Sequence, residues 1–150
     1  MSISIREATL ADREIVANYN NRLARETEDK SLDPSLINPG VAALLADADK
    51  GRYWLAEIDG RVIGQIGVTY EWSDWRNGMW WWIQSVYIDA DHRRRGVFSH
   101  LYKHVESLAK ADSEACGLRL YVERRNARAQ DTYRSLGMTD PGYRVMESYF

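Results

Sequence analysis

The chain is 150 residues long and has one cysteine, Cys116, two phenylalanines and three prolines. Its charges nearly cancel, with 20 Lys and Arg against 22 Asp and Glu. A single cysteine excludes an intramolecular disulfide framework and any zinc site built on several thiolates, and it fits a reducing, cytoplasmic setting. A net charge of −2 argues against a nucleic-acid partner, because neutralising phosphates requires a strong basic excess. No window approaches about 18 uninterrupted apolar residues, and Met1 to Glu7 lacks a basic segment leading into an apolar one. Neither a membrane nor secretion is therefore expected. What remains is an ordinary hydrophobic content of 45%. A chain of this length buries roughly 70% of its unfolded surface and needs no staple. One domain over residues 1–150 is expected.

The hydrophobic spacing alternates between periods of two and of about four. Ile3 and Ile5 alternate with polar residues. Thr9 and Asp12 then form a capping signal ahead of Ile15, Val16, Tyr19, Leu23 and Ala24 at helical spacing, as far as Glu26. Pro34 and Pro39-Gly40 read as loop punctuation, and Val41, Leu44, Leu45 and Ala48 as a second short helix stopped by Gly51. Strands over 53–58 and 62–69 flank Asp59-Gly60, a dipeptide that supplies the positive φ angles of a tight hairpin turn. A third strand over 79–88 follows the segment Glu71 to Gly78. Val97, Leu101, Val105, Leu108 and Ala109 stripe a helix. Residues 118–123 read as a strand, 127–136 as a helix ending at Gly137, and 142–150 as a weakly alternating last strand. The order β-α-α-β-β-β-α-β-α-β predicts a mixed α/β (α+β) layering, with a six- to seven-stranded sheet flanked by about four helices. The strands at 79–88 and 118–123, linked by a helix, should run parallel.

Between the 79–88 strand and the helix that follows lies Arg93-Arg94-Arg95-Gly96-Val97-Phe98-Ser99. First-turn N–H groups and the positive end of the helix dipole suit an anion, glycine allows close backbone approach, and arginines add charge-assisted bonds. A solvated basic turn would have the same composition.

The run resembles motif A of the Gcn5-related N-acetyltransferases, Arg/Gln-x-x-Gly-x-Gly/Ala, through Arg93 and Gly96. Phe98 stands where Gly or Ala is usual. Ser85-Val86-Tyr87-Ile88-Asp89 is similar to that family's fourth strand. Asn126, Ala129, Tyr133 and Gly137 match its Asn-x-x-Ala-x-x-x-Tyr-x-x-x-Gly-Phe segment, with Met138 in place of Phe. The resemblance implies an acetyl-CoA-dependent N-acetyltransferase that needs no metal. Residues 93–99 would hold the pyrophosphate, the main chain of Val86, Tyr87 and Ile88 would pair with the pantetheine arm, and Asn126 and Ala129 would contact the same molecule. Tyr133 would protonate the departing thiolate. The acceptor implied is an amine on a small molecule or peptide.

Acetyl transfer also needs an oxyanion donor and a route for the amine proton. The N–H of Val86 or Ile88 is the expected donor. No carboxylate shares a face of the 79–88 strand with Trp82, Gln84 and Val86. Glu123, Glu71 and Asp74 are the acidic candidates for a base, Gln84 could position a water, and each has a structural alternative as an ordinary polar or solvated residue. His92, His100 and His104 could serve as bases or ligands, but the last two sit on a helix with no acidic third ligand on their face. Trp72, Trp75, Trp80, Trp81 and Trp82 place five of the six tryptophans within eleven residues. Core packing, a homodimer interface, or an acceptor wall of Trp72 and Trp82 beside Glu71 and Asp74 are the alternatives for this cluster. A non-catalytic acyl-CoA sensor is the rival function, kept open by Phe98 and the missing carboxylate.

Overall fold

The computed structural model describes residues 2–150. The chain divides into two compact units, residues up to Leu120 and Tyr121–Phe150.

The first unit is a five-stranded sheet in the order β1-β2-β3-β4-β5. Its strands are β1 (Ser4–Glu7), β2 (Arg52–Ile58), β3 (Arg61–Ser73), β4 (Gly78–Ile88) and β5 (Ala115–Leu120). The first four are antiparallel to their neighbours, and β5 is parallel to β4, as the intervening helix predicts. Asp59 and Gly60 both take positive φ, 51° and 75°, which joins β2 to β3 with the twist of a primed turn. The next hairpin is longer than expected: β3 runs to Ser73 and β4 begins at Gly78, with Asn77 at φ 48° closing the turn.

Helices α1 (Arg13–Glu28) and α2 (Pro34–Leu45) cover one face, and α3 (Val97–Ala111) covers the other. Beneath α1 and α2, Val16, Ala17 and Val41 close on Tyr53, Leu55 and Ala8. The predicted stripe of α3 holds, with Val97, Leu101, Val105 and Ala109 all buried. On that face the Trp54 and Trp81 rings stack at 6.3 Å, and His104 meets Trp54 edge-on. Trp81 is therefore a core residue. No helix among the described residues is long and apolar enough to cross a membrane.

Three expectations need correction. The second helix starts at Pro34 rather than Val41. Pro34 occupies the first turn, where its missing N–H costs nothing, and the Asp33 carboxylate accepts from Ser35 N at 2.9 Å, so the helix continues through Pro39. The strand expected at 118–123 is β5, three residues earlier. Gly117 lies inside it, opposite Trp80, because a Cβ there would come within 2.5 Å of the Trp80 ring. The alternation at 142–150 forms no strand, so the sheet has five strands rather than six or seven. Pro141 and Gly142, at φ 85°, break the run at its start, and no ladder satisfies its backbone groups. The second unit contains α4 (Ala127–Ser135), the fourth helix expected.

Arg6 ties β1 to the entry of α1 through a bidentate pair with Asp12, at 2.8 and 2.9 Å, and also reaches Glu57 at 2.9 Å. The Arg6 guanidinium holds the Asp12 carboxyl below its usual range. A depressed folded-state value stabilises the fold above the unfolded carboxylate value of about 3.9, and the contribution disappears as pH falls through the folded value. Asp12→Asn is expected to cost about 1 kcal/mol at neutral pH and nothing in strong acid. Urea midpoints at the two pH values check this, and equal losses at both would exclude the ion pair as the cause.

Candidate active site

In β4 the ladder to β3 skips a residue: Gly67 pairs with Gln84 and Gln65 with Tyr87, so three steps on β4 face two on β3. The extra residue is a bulge at Ser85, whose φ is 50°. Asp89 N donates to Ile63 O at 2.8 Å. Successive strand N–H groups point to opposite edges, so those of Ile88 and Val86 point away from β3, toward the β5 edge. There, β5 pairs with β4 only as far as Ile83↔Leu120. Among the described residues no strand pairs with β4 beyond that point, so the Val86 and Ile88 donors face an open edge.

The chain then passes through a short turn at Ala90–His92 into the arginine run. Arg94 (φ 63°) and Gly96 (φ 80°) take left-handed conformations, α3 begins at Val97, and no side chain caps its N-terminus. The first-turn N–H groups lack intrahelical acceptors and lie at the positive end of the dipole. An added Cβ at Gly96 would have only His100 Nδ1 within 4 Å, at 3.9 Å. The space beside Gly96 is open to a ligand. Val97 is buried and anchors the turn, while Phe98 lies against Tyr102 with ring centroids 5.9 Å apart. Its benzyl group thus has a place along α3.

The three arginines differ. Arg93 is committed to structure: its Nη2 pairs with Glu26 of α1 at 2.8 Å, its Nε donates to Ile88 O at 2.9 Å, and its guanidinium lies 5.3 Å from the Tyr87 ring centroid. Tyr87 OH donates to the same Glu26 at 3.3 Å. Glu26 therefore latches α1 to the start of the arginine turn, a role that only the folded arrangement reveals. Arg94 and Arg95 are exposed. His100 Nδ1 sits 2.8 Å from Gly96 O and His104 packs on Trp54, so both histidines are engaged locally.

On the α1/α2 face, Trp80, Trp82 and Gln84 of β4 are half-buried. Arg119, directly opposite Trp82 on β5, lies 4.0 Å from the Trp80 ring centroid and 5.8 Å from that of Trp82. Its Nη1 pairs with Glu71 Oε1 at 2.8 Å, and Trp82 Nε1 donates to the same oxygen at 3.3 Å. Glu71, read from sequence as a free acid, is thus neutralised by a residue that sequence reasoning missed. Gln84 Nε2 donates to Thr69 Oγ1 at 2.9 Å. Trp72 and Trp75 are exposed near the hairpin tip, and Asp74 lies in the turn. Because Gly117 makes room for Trp80, Gly117→Ala is expected to cost roughly 1–3 kcal/mol by overpacking and to disturb the Arg119 stack. Chemical unfolding monitored by tryptophan fluorescence checks this, and an unchanged midpoint would show that the ring moves freely.

The second unit holds the remaining candidates. Asn126 caps α4, its Oδ1 accepting from Ala129 N at 3.1 Å. The Glu123 carboxylate accepts from Arg125 N at 2.7 Å, so it organises the turn before the helix. Tyr133 lies on α4, and burial pushes its phenol pKa up, which favours the protonated form.

The acetyltransferase (GNAT) family model matches residues 15–138. The chain is 44% identical to a possible acetyltransferase from Clostridium difficile 630, with a TM-score of 0.93 and coverage of 100% of this chain and 99% of that one. A ribosomal-protein-alanine N-acetyltransferase from Brucella melitensis biovar Abortus 2308 is 16% identical at a TM-score of 0.79, covering 99% and 100%. An aminoglycoside acetyltransferase from an uncultured soil metagenomic sample, in complex with sisomicin, is 14% identical at 0.77, covering 99% and 95%. These last two share the fold. No curated protein matches the chain in sequence.

Proposed function

Because the chain belongs to the acetyltransferase (GNAT) family, we propose that it transfers the acetyl group of acetyl-CoA to a primary amine of a small molecule or peptide. The observation that carries this proposal is the run of outward-facing main-chain donors, from the open β4 edge at Val86 and Ile88 to the uncapped start of α3 at Val97. Such donors suit a pantetheine arm and a pyrophosphate, and the open space beside Gly96 fits a phosphate. Arg94 and Arg95 add charge to that end. Arg93 shapes the cradle through Glu26 and Ile88 O.

The neutral amine attacks the thioester carbonyl, the C–N bond forms and the C–S bond breaks. The carbonyl oxygen gains negative charge, which the Val86 or Ile88 N–H stabilises. The thiolate takes a proton from Tyr133, whose raised pKa keeps it a donor. The amine proton leaves through water, positioned by Gln84 or accepted by Glu123. Asn126 and Ala129 contact acetyl-CoA from α4, and Trp72, Trp82, Glu71 and Asp74 flank the acceptor. The family match spans both compact units, which supports one catalytic domain. Phe98, one of the two features that kept a non-catalytic sensor open, packs on Tyr102 and so has a place clear of the turn backbone.

Coenzyme A release, measured across polyamines, amino acids, aminoglycosides and peptides, tests the proposal. Release with one acceptor class would support it and name the substrate. Failure to bind acetyl-CoA would refute it.

A further inference from the structure

Gln65 is fully buried, on β3, and its surroundings are not those of an ordinary core position. Its Nε2 donates to Ser85 O at 2.9 Å and to Asn20 Oδ1 at 3.0 Å. Asn20, itself buried on the apolar face of α1, donates to Tyr53 OH at 3.3 Å. Tyr53 lies across Gly67, where a Cβ would come within 2.8 Å of its ring. The carboxamide's oxygen, Gln65 Oε1, is buried without a hydrogen-bond partner. A buried unpaired acceptor is costly, so stability alone would favour an apolar side chain here.

The carboxamide acts on Ser85. That residue holds a left-handed φ of 50°, a conformation that strains a non-glycine residue. Its carbonyl has left the even β3–β4 register, and Gln65 Nε2 supplies it with a donor. The next residue is Val86, whose N–H faces the open edge because of this bulge. We propose that Gln65 is a positioning residue of the acetyl-transfer site: it locks the β4 bulge through Ser85 O, with Asn20 orienting its carboxamide, and so aims the Val86 N–H at the thioester carbonyl. The inference rests on the acetyl-CoA assignment above.

The test reads the carbonyl itself, using acetyl-CoA labelled with carbon-13 at the carbonyl and infrared difference spectra of the bound state. A hydrogen bond to the carbonyl oxygen lowers its stretching frequency, so the wild-type chain is expected to shift the band downward. Gln65→Met keeps the length and removes the donor. It is expected to lose most of that shift while coenzyme A affinity stays within about threefold. Gln65→Glu replaces the NH2 by an oxygen. Its carboxylate repels Ser85 O, but its protonated form donates to it, and burial raises the pKa of such a carboxyl. The shift should therefore return in this variant as pH is lowered, which a purely structural role would not produce. If Gln65→Met does not fold, the pH series of Gln65→Glu decides.

A full downward shift in Gln65→Met, or a shift in Gln65→Glu that ignores pH, overturns the inference and leaves the acetyl-CoA assignment standing. Absence of acetyl-CoA binding by the wild-type chain overturns that assignment, and this inference with it.

Discussion

Gly96→Val is expected to raise the dissociation constant for coenzyme A by roughly tenfold to a hundredfold, a loss of about 1.4–2.7 kcal/mol. Two effects combine. Gly96 stands at φ 80° and ψ 10°, a conformation that a β-branched residue avoids, so the turn is pushed away from the geometry that aims its N–H groups outward. The added side chain also enters the space that a phosphate would occupy, since beyond the adjoining residues the nearest atom to its first carbon is His100 Nδ1 at 3.9 Å. That same openness means the fold survives, with a stability loss on the order of 1–2 kcal/mol. Calorimetric titration with coenzyme A, alongside thermal unfolding, separates the two. Unaltered affinity in a folded variant would put the pyrophosphate elsewhere.

Tyr133→Phe is expected to lower kcat by roughly a hundredfold or more, the usual scale for a positioned general acid, with coenzyme A affinity within about twofold. Only the phenolic hydroxyl is removed, and the ring is retained. Burial raises the phenol pKa above its ordinary value of about 10, so the acid stays protonated through the neutral range. An alkaline limb of kcat due to Tyr133 should therefore lie above that value and vanish in the variant. Stopped assays of coenzyme A release over a pH series read both quantities. A variant with wild-type kcat would show that the thiolate is protonated by another group or by water.

The legible parts of this protein were those whose cause is local in the chain. Asp59-Gly60 announced its turn because the conformation belongs to those two residues. The α3 stripe was readable because Val97, Leu101, Val105 and Ala109 are buried by the same helix face. The turn at Gly96 was readable because glycine at a strand-to-helix junction with positive φ is a local requirement. Pro39-Gly40 misled because a cap earlier in the chain, at Asp33, decides where α2 begins. The registers were not legible. Arg119 reaches Glu71 only because β4 places Trp80 and Trp82 beneath it. Glu26 meets Arg93 across 67 positions of sequence, and Gln65 meets Asn20 across 45. The bulge carries no glycine to mark it, since Ser85 is held in place by a side chain from another strand.

The central claim about this molecule is that the donors of β4 and of the α3 N-terminus hold acetyl-CoA. Backbone amide resonances of the isotopically labelled protein, followed during an acetyl-CoA titration, test this most directly. The largest shifts should fall on Val86 and Ile88 and on the stretch from Arg94 to Ser99, with the non-proline amides of α2 between Ser35 and Leu45 little changed. Binding that leaves Val86, Ile88 and the 94–99 amides unmoved would contradict the account.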